Sequence, residues 1–189
     1  MRLIMMGPPG AGKGTQADIV CEGMAIPHIS TGDIFRANVT QGTALGIEAK
    51  RYMDAGEYVP DGVTNAMVRD RLAQPDCSTG FLLDGYPRTI EQVGELDSML
   101  AAQSAGIDAV VELTVDIDEV VKRLVKRAAD QGRADDTEEV IRRRLEVFAE
   151  QTAPLTSLYA SRGLLNQVSG MGDVADVTAR IHAVLESNA

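Results

Sequence analysis

Cysteine, positive charge and long apolar runs are all scarce in this chain, and each shortage removes a class of function. Cys21 and Cys77 are too few and too far apart for a disulfide framework or a cysteine-rich zinc site, so a reduced, cytoplasmic setting is expected. Lys and Arg number 18 against 28 Asp and Glu, a net charge of -10. That balance argues against a nucleic-acid binder, because affinity for a phosphate backbone needs clustered cations in excess. No run approaches the roughly 18 apolar residues of a membrane span. Met1-Arg2 followed by Leu3-Ile4-Met5-Met6 has the opening of a signal peptide, but the apolar run stops at Gly7-Pro8-Pro9-Gly10 with Lys13 close behind. Histidine is limited to His28 and His182, neither in a motif. There is no internal repeat and no low-complexity linker, and with no broad unexplained apolar patch a monomer is expected.

What remains has an ordinary globular composition, 44% hydrophobic and 24% charged, in 189 residues that suit one core domain with small insertions. Short apolar runs alternate with longer helical patterns, which is the signature of βαβ units around a parallel sheet and hence of an α/β fold. Strands are expected at 3–6, 27–29, 81–84, 109–115 and 164–168. Most read as continuous apolar runs, as strands covered on both faces do. Helix starts are expected where a side chain can accept from free backbone N–H groups: Ser30 with Asp33, Asp116 with Glu119, Asp136 with Glu139, and Asp173. Pro154 cannot continue the helix that begins near Thr137, so a bend or restart belongs there. Residues 30–59 hold two short helical patterns where one crossover would suffice, and 128–136 form a polar loop. Insertions of this kind on a rigid sheet often become substrate flaps.

The most informative segment is Gly7-Pro8-Pro9-Gly10-Ala11-Gly12-Lys13-Gly14-Thr15. It follows a strand and opens a helix, the context a phosphate-binding loop requires. Glycines let backbone N–H groups converge, the helix start adds partial positive charge, and Lys13 reaches the β/γ oxygens. A glycine-rich turn with a surface lysine is the plainer alternative. Gly14 stands where Ser or Thr usually holds Mg²⁺, and the hydroxyl arrives one residue later at Thr15. A second strand, 81–84, ends in Asp84 at its C-terminal edge, where ligands bind in open parallel sheets. Asp84 is a candidate Mg²⁺ ligand, directly or through water, or else a cap or turn residue. Gly85-Tyr86-Pro87 then makes a rigid turn that projects Arg88.

Together, Gly7–Thr15, Ser30-Thr31-Gly32-Asp33 with Arg36, Asp84–Arg88 with Gln92, and Arg133 through Arg144 resemble the adenylate kinase family in its short-lid form, in order along essentially the whole chain. The resemblance implies a P-loop nucleotide kinase with a five-stranded parallel sheet wrapped by helices, running ATP + AMP ⇌ 2 ADP with Mg²⁺. It implies a core of 1–29, 60–125 and 137–189, a monophosphate-binding flap at 30–59 and a lid at 126–136. Gly10, Ala11, Gly12, Lys13, Gly14, Thr15, Arg127 and Gly172 would hold ATP. Thr31, Arg36, Glu57, Tyr58, Val59, Gly85, Tyr86, Pro87, Arg88, Gln92, Arg133 and Arg144 would form the AMP site. Lys13, Arg88, Arg123, Arg127, Arg133 and Arg144 would carry the transfer. Tyr86 replaces the more usual Phe, and a lid without Cys or His excludes the zinc found in some relatives.

The arginines can also be weighed on their helices. After Asp116 the apolar stripe is Val120, Val121, Leu124 and Val125, which sets Arg123 and Arg127 along its edge and Lys122 and Lys126 toward solvent. Around Ile141, Leu145 and Phe148 the same wheel puts Arg144 beside the stripe and Arg143 opposite. An attacking phosphate oxygen is already anionic, so no general base is needed. His28 could touch the site or serve the structure, and Asp135 and Asp136 could close the lid or cap a helix. Other acceptors (UMP/CMP or GMP) and a nucleotide-driven switch or motor remain alternatives. The Gln92 carboxamide, rotated by half a turn, would serve guanine as well as adenine.

Overall fold

The computed structural model describes residues 1–131 and 137–187, with the side chains at 117 and 126–131 outside that description. Five parallel strands form one sheet in the order β2-β3-β1-β4-β5: β1 (Arg2–Met6), β2 (His28–Ser30), β3 (Phe81–Asp84), β4 (Ala109–Thr114) and β5 (Leu165–Ser169). The strand positions match the apolar runs to within a residue or two. Continuous burial holds for β1, β3 and β4, whereas β5 lies at the sheet edge and is only half covered.

Alternation along β1 splits the core between two faces. Leu3 and Met5 join Leu82, Val111, Val20 and Ile181 on one side, under α1 (Lys13–Met24) and α9 (Val174–Glu186). Ile4 and Met6 join Leu83, Val110, Leu96 and Leu155 on the other, under α5 (Ile90–Ala101) and α8 (Pro154–Ser161). Each such side chain, removed from water, contributes about 1.5–3 kcal/mol. A third, smaller cluster of Phe35, Ala49 and Val59 gives α2 (Thr31–Gln41) and α3 (Ala44–Ala55) their own core, so 30–59 does contain two helices. The remaining α-helices among the described residues are α4 (Asp61–Leu72), α6 (Ile117–Gln131) and α7 (Glu138–Val147).

Several local expectations need correction. Ser30 does cap α2, accepting from the Asp33 N–H at 3.2 Å. Asp116 likewise marks the start of α6, its side chain accepting from the Asp118 N–H at 2.9 Å and its carbonyl from the Val120 N–H at 3.0 Å. Thr137, not Asp136, caps α7 through the Val140 N–H at 3.4 Å, and Asp136 lies outside the described residues. Asp173 occupies the cap position of α9 without a side-chain bond to it. The chain after α7 widens into a π-helical turn at Phe148–Thr152 and restarts at Pro154, as the missing proline N–H requires. Val147, the last residue of α7, is buried on the same side as Val140 seven residues earlier, while Phe148, which opens the π-helical turn, lines the cleft. On α6, Val120 and Leu124 are fully buried against Ile141, but Val121 and Val125 are exposed, because the packed stripe is narrower than the apolar one.

Candidate active site

The strand register assembles the site. Met5 pairs with Asp84 across β1 and β3, and Ser30 pairs with Asp84 across β2 and β3. The phosphate loop, the end of β3 and the start of α2 therefore meet where the sheet changes direction around β1, the position at which open α/β sheets bind ligands. A cleft of about 460 Å³ opens there, lined by the loop, Asp84, Arg36, Arg88, Arg123 and Arg144.

Within the loop, Gly10 has φ +83, and a Cβ there would lie 2.8 Å from Leu124 Cγ, so only glycine keeps the backbone turned inward. Lys13 Nζ donates to the Gly7 and Pro8 carbonyls at 2.8 and 3.0 Å, holding the ammonium over the loop it belongs to. Gly12, Gly14 and Thr15 also line the cleft. Ala11 does not, being buried in the core. Gly172 does not line it either, and sits by Asp176 and Arg180 beyond β5. Arg123 spans from Glu119 to the Gly170 carbonyl at 3.0 Å, next to the loop.

Asp84 is almost fully buried at the cleft floor. Burial alone would raise its pKa, but His28 and the charges of Lys13 and Arg88 outweigh that and hold the carboxyl below its usual range. His28 lies between two carboxylates, with Nδ1 2.8 Å from Asp18 and Nε2 3.7 Å from Asp84. Burial lowers its pKa, yet Asp84 and Asp18 together leave it raised. His28 is thus both a cleft residue and a bridge between α1 and β3, which combines the two roles open to it from sequence.

A smaller pocket, lined by Thr31, Phe35, Glu57, Val59 and Gln92, opens off the cleft through the shared Arg36, Tyr58, Gly85, Arg88 and Arg144. Gly85 has φ +77, and a Cβ there would fall 2.8 Å from both Arg88 Nη2 and Thr31 Oγ1, so glycine lets Thr31 donate to the Gly85 carbonyl at 2.9 Å. Arg88 donates from Nε to the same carbonyl at 2.7 Å, and its guanidinium lies over the Tyr58 ring, 4.8 Å from the centroid. Arg36 pairs with Asp33. Pro87 lines the cleft, and so does Tyr86, whose ring packs in the core with its hydroxyl donating to Asn65 at 2.8 Å.

Arg144 reaches both pockets, as its helix position predicts. Arg143, opposite the stripe, is partly exposed but is also claimed by a partner. Its Nε donates to Glu57 at 2.7 Å, because the end of α3 lies against that side of α7. Sequence reasoning also misses Thr152, which joins Tyr58 to the Arg88 carbonyl, and Asp61 with Thr89, which hold Gln92. Nothing in periodicity points to Thr152 or Asp61, since their contacts cross between elements; only Thr89, which caps α5 three residues before Gln92, carries a local signal. The Arg127 side chain, Arg133 and Asp135 lie outside the described residues.

A family model described as adenylate kinase matches residues 5–164. The chain belongs to the adenylate kinase family. A Nocardioides sp. protein named adenylate kinase is 64% identical over 186 residues, covering 98% of this chain and 97% of that protein. One from Kocuria rhizophila is 59% identical over 185 residues, covering 98% of each chain, and one from Thermobifida fusca is 55% identical over the full length of both. Among the described residues no helix is long and apolar enough to cross a membrane.

Proposed function

We propose that the cleft transfers the γ-phosphoryl group of Mg-ATP to AMP, giving two ADP and balancing the adenine nucleotides. Family membership supports the reaction, and the joining of a phosphate loop to a second pocket through Arg88 and Arg144 is the observation that supports the assignment of residues. An oxygen of the AMP phosphate attacks the γ-phosphorus, the bond to the β-phosphate bridging oxygen breaks, and the electron pair leaves on ADP. The attacking oxygen is anionic, so the protein supplies position and charge rather than a base.

In this reading the backbone of Gly10 to Thr15 and Lys13 hold ATP phosphates, and Arg123 and Arg127 approach them from α6. Arg36 and Arg88 hold the AMP phosphate, Arg144 and Arg133 span the transferring group, and Gln92 meets the base. Residues 30–59 act as the flap and 126–136 as the lid. Asp84 fits Mg²⁺: one buried, ionised carboxylate beside the phosphate loop leaves the other positions to phosphate oxygens and water, as that ion prefers. Bound there with Thr15 nearby, Mg²⁺ would neutralise charge on the β- and γ-oxygens. The lid sequence offers no thiolate or imidazole, so zinc is not used. The protein works as a cytoplasmic monomer.

The test is turnover of ATP with AMP in Lys13→Ala and Arg88→Ala. Removing a cation that acts on transition-state charge lowers kcat by about 10²-fold or more with the fold intact. Near-normal turnover in either variant would refute its assignment.

A further inference from the structure

The Gln92 carboxamide is buried at the wall of the smaller pocket, and both of its ends are engaged. Its Oε1 accepts from the Arg88 backbone N–H at 2.7 Å, and its Nε2 donates to Asp61 Oδ1 at 2.7 Å. The other oxygen of Asp61 accepts from the Thr89 hydroxyl, also at 2.7 Å, and Thr89 in turn accepts from the Gln92 backbone N–H at 3.1 Å. Asp61 is therefore held as firmly as the amide it holds.

Turning the amide over would set its NH₂ against the Arg88 N–H and its oxygen against the Asp61 carboxylate, two repulsive contacts in a buried place. One orientation survives. It leaves one lone pair on Oε1 and one hydrogen on Nε2, in fixed order, for whatever lies in the pocket. Adenine presents an N6 donor beside an N1 acceptor, whereas a 6-oxopurine presents an O6 acceptor beside an N1 donor. A freely turning carboxamide would suit either base. A fixed one suits a single order, and the mismatched base leaves buried polar atoms unpaired.

We infer that Asp61 is a specificity-determining residue, which acts through Gln92 by locking its carboxamide in the orientation that accepts adenine and rejects 6-oxopurines. The inference rests on the reading of the smaller pocket as the AMP site. Asp61 opens α4, where a carboxylate also favours the helix start, so a loss of stability alone would not distinguish the two roles. The distinguishing quantity is the ratio of kcat/KM for AMP to that for IMP, which carries the 6-oxopurine edge without an added amino group.

Asp61→Ala removes one of the two contacts that fix the amide and leaves only the Arg88 N–H to oppose its turning. The ratio should fall at least tenfold, through a higher KM for AMP and a lower one for IMP, with the KM for ATP unchanged. Asp61→Asn keeps an oxygen at the same reach and should retain the ratio within about threefold. Asp61→Ser keeps a polar group at the helix start but is too short to reach Gln92, and gives the same reading as alanine if the alanine variant does not fold. A wild-type protein that prefers AMP, together with Asp61→Ala or Asp61→Ser proteins that keep the wild-type ratio, would overturn the role of Asp61 while leaving the AMP site intact. A wild-type protein equally poor with AMP and IMP would overturn the site reading, and this inference with it.

Discussion

Tyr58 offers the sharpest view of how the fold aims a guanidinium. Its ring lies under Arg88 at 4.8 Å, and its hydroxyl is 2.7 Å from Thr152 Oγ1. Thr152 donates to the Arg88 carbonyl at 2.9 Å, so Tyr58 must be the donor of the pair, and a closed loop joins Tyr58, Thr152 and both ends of Arg88. Tyr58→Phe removes one hydrogen bond, worth about 1 kcal/mol, and orphans no donor because Thr152 still has its carbonyl. Tyr58→Leu also removes the ring, adding about 0.5–2 kcal/mol of cation–π attraction, for a total near 1.5–3 kcal/mol. If that energy holds Arg88 on the transferring group, kcat falls by roughly 10- to 100-fold in the leucine variant and by less than about tenfold in the phenylalanine variant. Coupled turnover assays and urea unfolding of the same samples separate the two effects. A leucine variant with wild-type kcat would show that Arg88 is aimed without Tyr58.

Further outcomes follow from other contacts. The Arg143–Glu57 pair at 2.7 Å is 38% and 37% exposed, so solvent screens it and Arg143→Ala should leave stability nearly unchanged. It should nonetheless raise the KM for AMP, and a Glu57→Arg/Arg143→Glu double variant should recover it. The pKa of His28 is raised above its ordinary 6.5 in the folded protein. Its stabilising contribution is thus complete below that value and disappears as pH rises through the folded-state pKa, so His28→Gln should be more destabilised relative to wild type at about pH 5.5 than at about pH 9, measured by urea unfolding. Gln92→Ala should cost about 1–3 kcal/mol in kcat/KM for AMP while leaving the KM for ATP alone; a defect in the ATP term would move Gln92 to the other site.

Features confined to one stretch of chain are legible from the order of residues alone. The phosphate loop is contiguous, β1 and β3 announce themselves by apolar runs, and Ser30 caps the helix beside it. Asp84 can be placed at the ligand-binding edge because strand ends in parallel sheets share one geometry. Arg144 can be aimed from its own helix, but Arg143 cannot: the wheel knows only the helix's apolar stripe, and the partner that claims Arg143 is the far end of α3. Tyr58 with Thr152 and Asp61 with Gln92 are hidden for the same reason, since each joins elements that only the fold brings together. The exposed Val121 and Val125 show the opposite error, an apolar stripe wider than the surface available to cover it.

The most direct test is a coupled assay of ADP formation from Mg-ATP with AMP, GMP, UMP and CMP in turn. The geometry of the two joined pockets and the locked Gln92 amide predict turnover that depends on AMP, exceeds that with the other acceptors by at least tenfold, and stops when Mg²⁺ is withheld. Equal inactivity with all four acceptors, or ATP hydrolysis indifferent to AMP, would contradict it.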